Sequence, residues 1–322
     1  MNWNAIDWPA LERMRGAFLE GTAGGANYWT SERDVASYDA TFAQRIGWKW
    51  DYVLNELTRR GWTPPAGELL DWGCGSGIAH RVFLDHFGAG PVTHAWLWDR
   101  SPVAIRFASQ RARERFPELN VASGVPDSPA LLLLSHVLTE LGAAELTKLM
   151  ALARSAMAVI WIEPGTHDAS RALIAAREEL RNEFRVVAPC THQAACGMLA
   201  PGSEPHWCHH FAAPPAAVFT DPNWGRFAHL TGVDLRSLPL SFLVLNRRET
   251  PAPPPGALRV IGRPRVYKAH ALLLGCDGSG VRERRLDKRA LPDAFRALKK
   301  ETFDPLQVCQ TEGDTITSTQ AL

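Results

Sequence analysis

The chain has 322 residues, 46% hydrophobic and 21% charged, enough to bury a large core and too apolar for global disorder. Thirty-five basic against 34 acidic residues leave a formal charge of +1, which excludes a uniformly basic nucleic-acid binder. Apolar runs such as 130–134 fall far short of the roughly 18 residues that a membrane span needs, and residues 1–20 lack the apolar stretch of a secretion signal, so a cytoplasmic protein without a membrane partner is expected.

Leu11, Met14 and Phe18, then Tyr52, Leu54 and Leu57, recur at three-to-four spacing, which predicts a helical N-terminal region over 1–66. Thr63-Pro64-Pro65-Ala66-Gly67 ends it. From Glu68 onward short apolar runs alternate with amphipathic stretches, the pattern of a parallel sheet covered by helices. Strands are predicted near 68–72, 93–99, 130–136, 157–163, 184–189 and 239–246, and helices near 78–87, 102–116, 143–155 and 168–182. These make an α/β domain over 67–250. Within it, about 188–231, periodicity gives way to Pro, Gly, His, Cys and Trp, in a stretch too long for an ordinary connection. Thr250-Pro251-Ala252-Pro253-Pro254-Pro255-Gly256 reads as a stiff linker. A small C-terminal β module over 251–322 follows, with a hairpin through 258–276 and 281–286 and a frayed tail over 311–322.

Leu69-Leu70-Asp71-Trp72-Gly73-Cys74-Gly75-Ser76-Gly77 ends the first strand and leads into a helix. Alternate glycines let the backbone turn tightly and approach a ligand, and the helix start offers N–H groups to an anion. A dinucleotide fingerprint would require glycine at position 78, where this chain has Ile78. The D-x-G-x-G-x-G form resembles motif I of class I S-adenosylmethionine-dependent methyltransferases. Asp99, 22 residues after Gly77, ends the second strand, where a carboxylate can accept both ribose hydroxyl protons. Asp71, Gly73, Gly75, Gly77 and Asp99 are therefore the candidate cofactor residues. Glu163, closing the fifth strand at Glu163-Pro164-Gly165-Thr166, is a further candidate on the ligand-binding edge. After the fourth strand, Ser135-His136-Val137-Leu138-Thr139-Glu140-Leu141 lacks the Asn/Asp-Pro-Pro-aromatic motif of amino-methylating nucleic-acid enzymes. His136 and Glu140 could serve as general bases, but a satisfied structural histidine and a helix-supporting glutamate are the commoner outcomes, so the catalytic residue stays unassigned.

Six cysteines in a reducing compartment read as thiols or metal ligands rather than disulfides. Cys190, Cys196 and Cys208 lie in the aperiodic stretch, where a bound metal could supply order. Cys276 is the best fourth ligand, with His192, His206, His209 and His210 as substitutes. Spacing alone leaves zinc, an iron–sulfur cluster and metal-free buried thiols open, and the absence of any C-x-x-C pair weakens the zinc-ribbon reading.

Asp71-x-Gly73-x-Gly75-x-Gly77, Asp99-Arg100-Ser101, Ser135-x-x-Leu138-Thr139-Glu140-Leu141, Glu163-Pro164-Gly165-Thr166, Ala188-Pro189-Cys190-x-His192 and Trp207-Cys208-His209 occur here in one order. Over about 65–290 the chain thereby resembles the methyltransferase-like small-ribosomal-subunit assembly proteins of mitochondria and their bacterial relatives. The resemblance implies a class I methyltransferase fold that binds S-adenosylmethionine, association with the small ribosomal subunit and its RNA, and a [4Fe–4S] cluster on Cys190, Cys196, Cys208 and Cys276. Thr191 and Gly197 stand where that family commonly has proline. Methyl transfer in the family is inferred chiefly from its fold, which leaves a non-catalytic assembly factor as the alternative and a small-molecule or protein methyltransferase as the third reading.

The near-zero charge hides an asymmetry. Residues 247–300 carry 14 basic and 5 acidic side chains. Arg259, Arg263, Arg265, Lys268, Arg282, Arg284 and Arg285 are accordingly expected to meet RNA phosphates.

Overall fold

The computed structural model describes residues 2–20 and 29–322. Residues 21–28 of the expected helical region lie outside that set. The N-terminal helices are α1 (Trp8–Leu19), α2 (Glu32–Asp39) and α3 (Phe42–Arg59). Asp7 and Ser31 cap the first two by accepting the N–H groups of Ala10 and Asp34. Ala10, Leu11 and Met14 on α1 are buried together with Trp29, Val35 and Phe42 in one apolar cluster.

Next come β1 (Gly67–Trp72), α4 (Ile78–Phe87), β2 (Val92–Trp98), α5 (Pro102–Arg115), β3 (Asn120–Ser123), β4 (Leu131–Ser135), α6 (Ala143–Ser155), β5 (Ala158–Pro164), α7 (His167–Leu180) and β6 (Arg185–Ala188). After them stand β7 (His210–Ala212), α8 (Pro222–Thr231) and β8 (Leu238–Asn246). The sheet order is β3-β2-β1-β4-β5-β8-β6, with β7 paired to β8. β1 pairs in parallel with β2 and β4, and β4 with β5, while β6 meets β8 antiparallel. This is the sheet of a class I methyltransferase-like α/β fold. Its central strands read Leu69-Leu70, 131–134 and 158–162, apolar on both faces because helices cover both. Such runs were legible in the sequence. β3 and β7 escaped it, because four and three residues leave no period to count.

The C-terminal strands are β9 (Ala257–Val266), β10 (His270–Asp277), β11 (Gly280–Asp287), β12 (Leu306–Glu312) and β13 (Thr315–Ala321), with α9 (Pro292–Lys299) between β11 and β12. They close a five-stranded barrel in the order β10-β11-β13-β12-β9. The anticipated hairpin is part of it, but the frayed tail is not observed: β12 and β13 pair antiparallel from Gln307–Ala321 to Glu312–Thr315. Their polar residues misled the reading because in β13 almost every side chain faces out, with Ile316 the buried one. One helix between the third and fourth strands, with β11 and β13 parallel, gives this barrel the oligonucleotide/oligosaccharide-binding (OB) topology.

The chain divides into two compact units. The first comprises Met1–Glu56, Thr63–Pro164 and Phe211–Leu240 and holds the glycine loop. The second comprises Leu57–Trp62, Gly165–His210 and Ser241–Leu322 and holds the cysteine-bearing loop and the barrel.

Candidate cofactor site and cysteine lobe

In the first unit the glycine loop is tied to the end of β2: the N–H groups of Gly73 and Cys74 both donate to the Trp98 carbonyl, at 2.8 and 3.0 Å. Gly73 has φ +71°, and a Cβ there would stand 2.7 Å from Val137 Cγ1. The loop after β4 therefore packs directly against the glycine loop. Gly77 has φ +84° and starts α4 without a side-chain cap, while a Cβ there would stand 2.5 Å from the His80 ring. Only glycine satisfies both demands. The Trp29 ring lies over Gly75.

Asp99 sits half-buried just past β2. Its Oδ2 accepts the Gly75 N–H at 2.9 Å and its Oδ1 accepts the Ser101 N–H at 2.8 Å. Burial raises its carboxyl pKa, against the lowering pull of those two N–H groups. It is thus oriented by the glycine loop and retains lone pairs for a ligand. Beside it, Tyr38 is pushed above the usual phenol range by burial and then by the negative charges of Glu140, Asp99 and Asp39. Glu140 is ion-paired with Arg100. The glycine loop, Asp99, Trp29 and Tyr38 are thus brought together at the end of β2. Sequence reasoning found the loop and Asp99 but not Trp29 or Tyr38, which lie far upstream, Trp29 ahead of α2 and Tyr38 on it.

Two of the expected cofactor residues sit elsewhere. Asp71 is fully buried beneath the loop, where its Oδ2 meets His80 Nδ1 at 2.7 Å and the His80 N–H at 3.4 Å. It anchors the first turn of α4. Glu163 is also fully buried: its Oε1 accepts the N–H groups of Val137 and Leu138, each at 3.1 Å, and Trp161 Nε1 at 2.8 Å. Its carboxylate shapes the loop after β4. Burial pushes its pKa up to about 7.

His136, at the carboxyl end of β4, has φ +57°, a conformation costly for a residue with a Cβ. Its Nε2 lies 3.3 Å from the buried Lys49 ammonium nitrogen of α3. Glu140 faces Arg100 instead, beside Asp99 and Tyr38, so the two candidate bases belong to different groups of ionisable side chains.

In the second unit the aperiodic loop is ordered by hydrogen bonds. Arg60 donates to the carbonyls of Val187, Pro189 and Cys190 at 2.8 to 3.0 Å, and Arg259 Nε to Pro189 at 3.1 Å. Gln193 makes two bonds to Val186, and Ser170 and Ser241 both donate to the Cys208 carbonyl. Side chains thus satisfy a backbone that has no sheet or helix to do so. These bonds tie the loop to residues 57–62, to α7 and to the barrel.

The six cysteines are free thiols. Cys196, Cys208 and Cys276 share an apolar cluster with Ile174, Met198 and Ile261. Burial raises the Cys208 thiol well above its ordinary value, and Cys190, Cys276 and Cys196 add to that, which places all four thiols in one neighbourhood. Arg177 reaches the same neighbourhood through Cys190 and Cys196. His192 Nε2 lies 3.5 Å from Cys276 Sγ, and His210 Nε2 lies 3.7 Å from Cys208 Sγ. Among the described residues, however, no three His, Cys, Asp or Glu side chains are grouped so as to hold a metal ion. The donor chemistry suits a thiophilic centre, while the spacing of these side chains is not that of a bound ion at about 2.3 Å from each sulfur.

The basic segment also changes character. Arg259 and Arg284 are buried, Arg284 bonding to the Gly313 carbonyl and Asp277, so neither can meet phosphate. Arg263, Arg265 and Arg285 are exposed and paired with Glu301, Glu283 and Asp287. Lys268 and Arg282 are exposed. No helix is long and apolar enough to cross a membrane among the described residues.

Several solved structures are similar to this chain. A proposed RNA methyltransferase from Pyrococcus horikoshii shares 11% identity over 62% of this chain and 81% of its own, with a TM-score of 0.39. A SAM-dependent methyltransferase from Aquifex aeolicus shares 12% over 49% and 90%, at 0.37. The precorrin 8w decarboxylase of Methanobacterium thermoautotrophicum shares 13% over 61% and 89%, at 0.35. Among curated proteins none matches the chain. The family described as mitochondrial small ribosomal subunit Rsm22 matches residues 60–304, from the end of α3 to the barrel, and that span covers most of the chain. The chain therefore belongs to the Rsm22 family.

Proposed function

We propose that this protein binds S-adenosylmethionine at the glycine loop and acts on small-subunit ribosomal RNA during assembly of the small ribosomal subunit, as a methyltransferase. The observation that carries the cofactor is the Asp99 carboxylate, held by the Gly75 N–H at the end of β2. The ribosomal part rests on the family. When bound, S-adenosylmethionine supplies an electrophilic methyl group. Asp99 would take the ribose hydroxyls, the glycine loop the amino-acid end, and Trp29 would exclude water from the loop. The barrel, with OB topology and exposed Lys268 and Arg282, supports RNA as the partner.

Asp99→Ala is expected to weaken S-adenosylmethionine binding by about 100-fold to 10⁴-fold, because it removes two charge-assisted hydrogen bonds of about 1.5–3 kcal/mol each. Isothermal titration calorimetry measures this. Unchanged affinity would move the cofactor elsewhere.

The finer reading of the cysteines is a [4Fe–4S] cluster on Cys190, Cys196, Cys208 and Cys276, with zinc as the alternative occupant. Four thiols meeting in one apolar neighbourhood beside Arg177 support it, since a cubane sets its sulfur ligands further apart than a single ion does. Anaerobically purified protein should carry about four iron and four sulfide, from the stoichiometry of the cubane. Zinc at about one equivalent would select the alternative, and neither metal would leave a hydrogen-bonded thiol loop.

A further inference from the structure

Lys49 is buried, and its Nζ lies 3.3 Å from His136 Nε2. His136 in turn sits in the strained conformation at the carboxyl end of β4, next to the residue that touches Gly73. Doubly wound sheets bind ligands along that edge. Glu163 fixes this loop from below through its bonds to Val137 and Leu138, and its Oε2 is buried without a partner. The Ser135 hydroxyl accepts Trp50 Nε1 at 3.0 Å, so the next residue of α3 locks the strand end as well. Strain at one half-buried histidine, bonded to Lys49 and flanked by residues that Trp50 and Glu163 hold, marks a candidate working group.

We propose that His136 is the proton acceptor for methyl transfer to a nucleobase nitrogen that carries a hydrogen, and that Lys49 is its positioning partner, storing the proton. This rests on the reading of the protein as an RNA methyltransferase. The nitrogen's lone pair forms the new N–C bond as the S–CH3 bond breaks, the sulfur keeping that bond's electron pair. The proton that the nitrogen sheds goes to His136 Nδ1, the imidazole Nε2 proton passes to the Lys49 amine, and charge and atoms balance.

The charged groups around the pair favour this direction. Burial first, then Lys49 and Arg45, hold His136 well below the usual imidazole range, so the ring begins neutral. Burial and Arg45 lower Lys49 to about 7, with Glu163 of β5 opposing, so an uncharged amine is accessible near neutrality. The rate should therefore climb as pH rises through about 7.

The experiment measures transfer of a tritiated methyl group from S-adenosylmethionine to small subunits isolated from a strain lacking this protein. Full-length wild type, H136F, H136N and K49M are compared over pH 6 to 9, with cofactor affinity and melting temperature measured for each. H136F and H136N should lose about 100-fold or more in kcat, as removal of a general base does. K49M should lose about tenfold in kcat with KM unchanged, and its rate should no longer climb near pH 7. Wild-type transfer with all variants within twofold, or a K49M profile that keeps its limb, overturns the inference and leaves the methyltransferase reading standing. No transfer by wild-type protein that binds the cofactor overturns both. H136N guards against misfolding of H136F, because asparagine also tolerates positive φ.

Discussion

Replacing Glu163 by alanine is expected to lower folding stability by roughly 3–6 kcal/mol, among the largest single-residue effects in the first unit. The carboxylate is fully buried, and one oxygen accepts three N–H groups, from Val137, Leu138 and Trp161. Truncation leaves all three donors unpaired in the interior, at about 1–3 kcal/mol each before any water enters the space. Glu163→Gln separates acceptor from charge, because its amide oxygen can take the same three bonds. The sign of the pH effect follows from the upward shift. Folding favours the protonated acid, so its stabilising contribution is whole below the ordinary value of 4.5 and is lost as pH rises through about 7. The loss amounts to roughly 3 kcal/mol at 1.36 kcal/mol per pH unit. Lys49 acts in a different window: its lowered pKa gives a contribution present above 10.5 and lost as pH falls to about 7. Histidines such as His136 and His210, held below the usual imidazole range, also change stability below pH 6.5, so the difference between wild type and the Gln variant, followed by urea unfolding from pH 5 to 7, isolates Glu163. The wild-type advantage over the Gln variant should shrink as pH rises across that range. Parallel curves would show that the buried carboxylate does not titrate.

Gly197→Ala carries the second large effect. A Cβ at residue 197 would stand 2.6 Å from the Val281 backbone nitrogen and 3.0 Å from the Gly280 backbone. Backbone cannot rotate away as a flexible side chain can, so the loop bearing Cys196 must lift from β11. Overpacking of this kind costs about 1–3 kcal/mol, and the rigidity of a closed barrel places this site at the upper end. The same displacement opens the cluster of Cys196, Cys208 and Cys276. A thiol reagent should therefore label those cysteines about tenfold faster, following the increased population of the open form. Stability within 0.5 kcal/mol of wild type would mean that the loop yields without cost. Glycine at 197 is thus explained by the approach of β11.

The α/β sheet was legible because its strands are buried on both faces and its helices keep a 3.6-residue period. The turn at Gly73, Gly75 and Gly77 was legible because it depends on positive φ, which closely spaced glycines display directly in a sequence. Asp71 and Glu163 were read as ligand contacts because both end strands at the binding edge. Which way such a carboxylate points is decided by neighbours far along the chain, His80 for one and the Val137 backbone for the other. Lys49 gave no local signal at all, since a lone lysine on an amphipathic helix looks like a solvated residue. The basic segment misled for the converse reason: charge counted along a strand does not say that Arg259 and Arg284 turn inward.

The second unit is drawn from three separated stretches, Leu57–Trp62, Gly165–His210 and Ser241–Leu322. Its thiols meet only when residue 276 reaches residues 190 to 208, and its barrel closes only when β13 joins β11 and β12. By contrast, β1 to β5 are complete by Pro164. During synthesis the parallel strands that carry the glycine loop are therefore available for pairing long before any of the barrel exists. The cysteine loop must wait, reduced and uncovered, for more than sixty residues between Cys208 and Cys276. That interval of non-local closure makes the second unit the slow step of folding and the period of greatest exposure to oxidation.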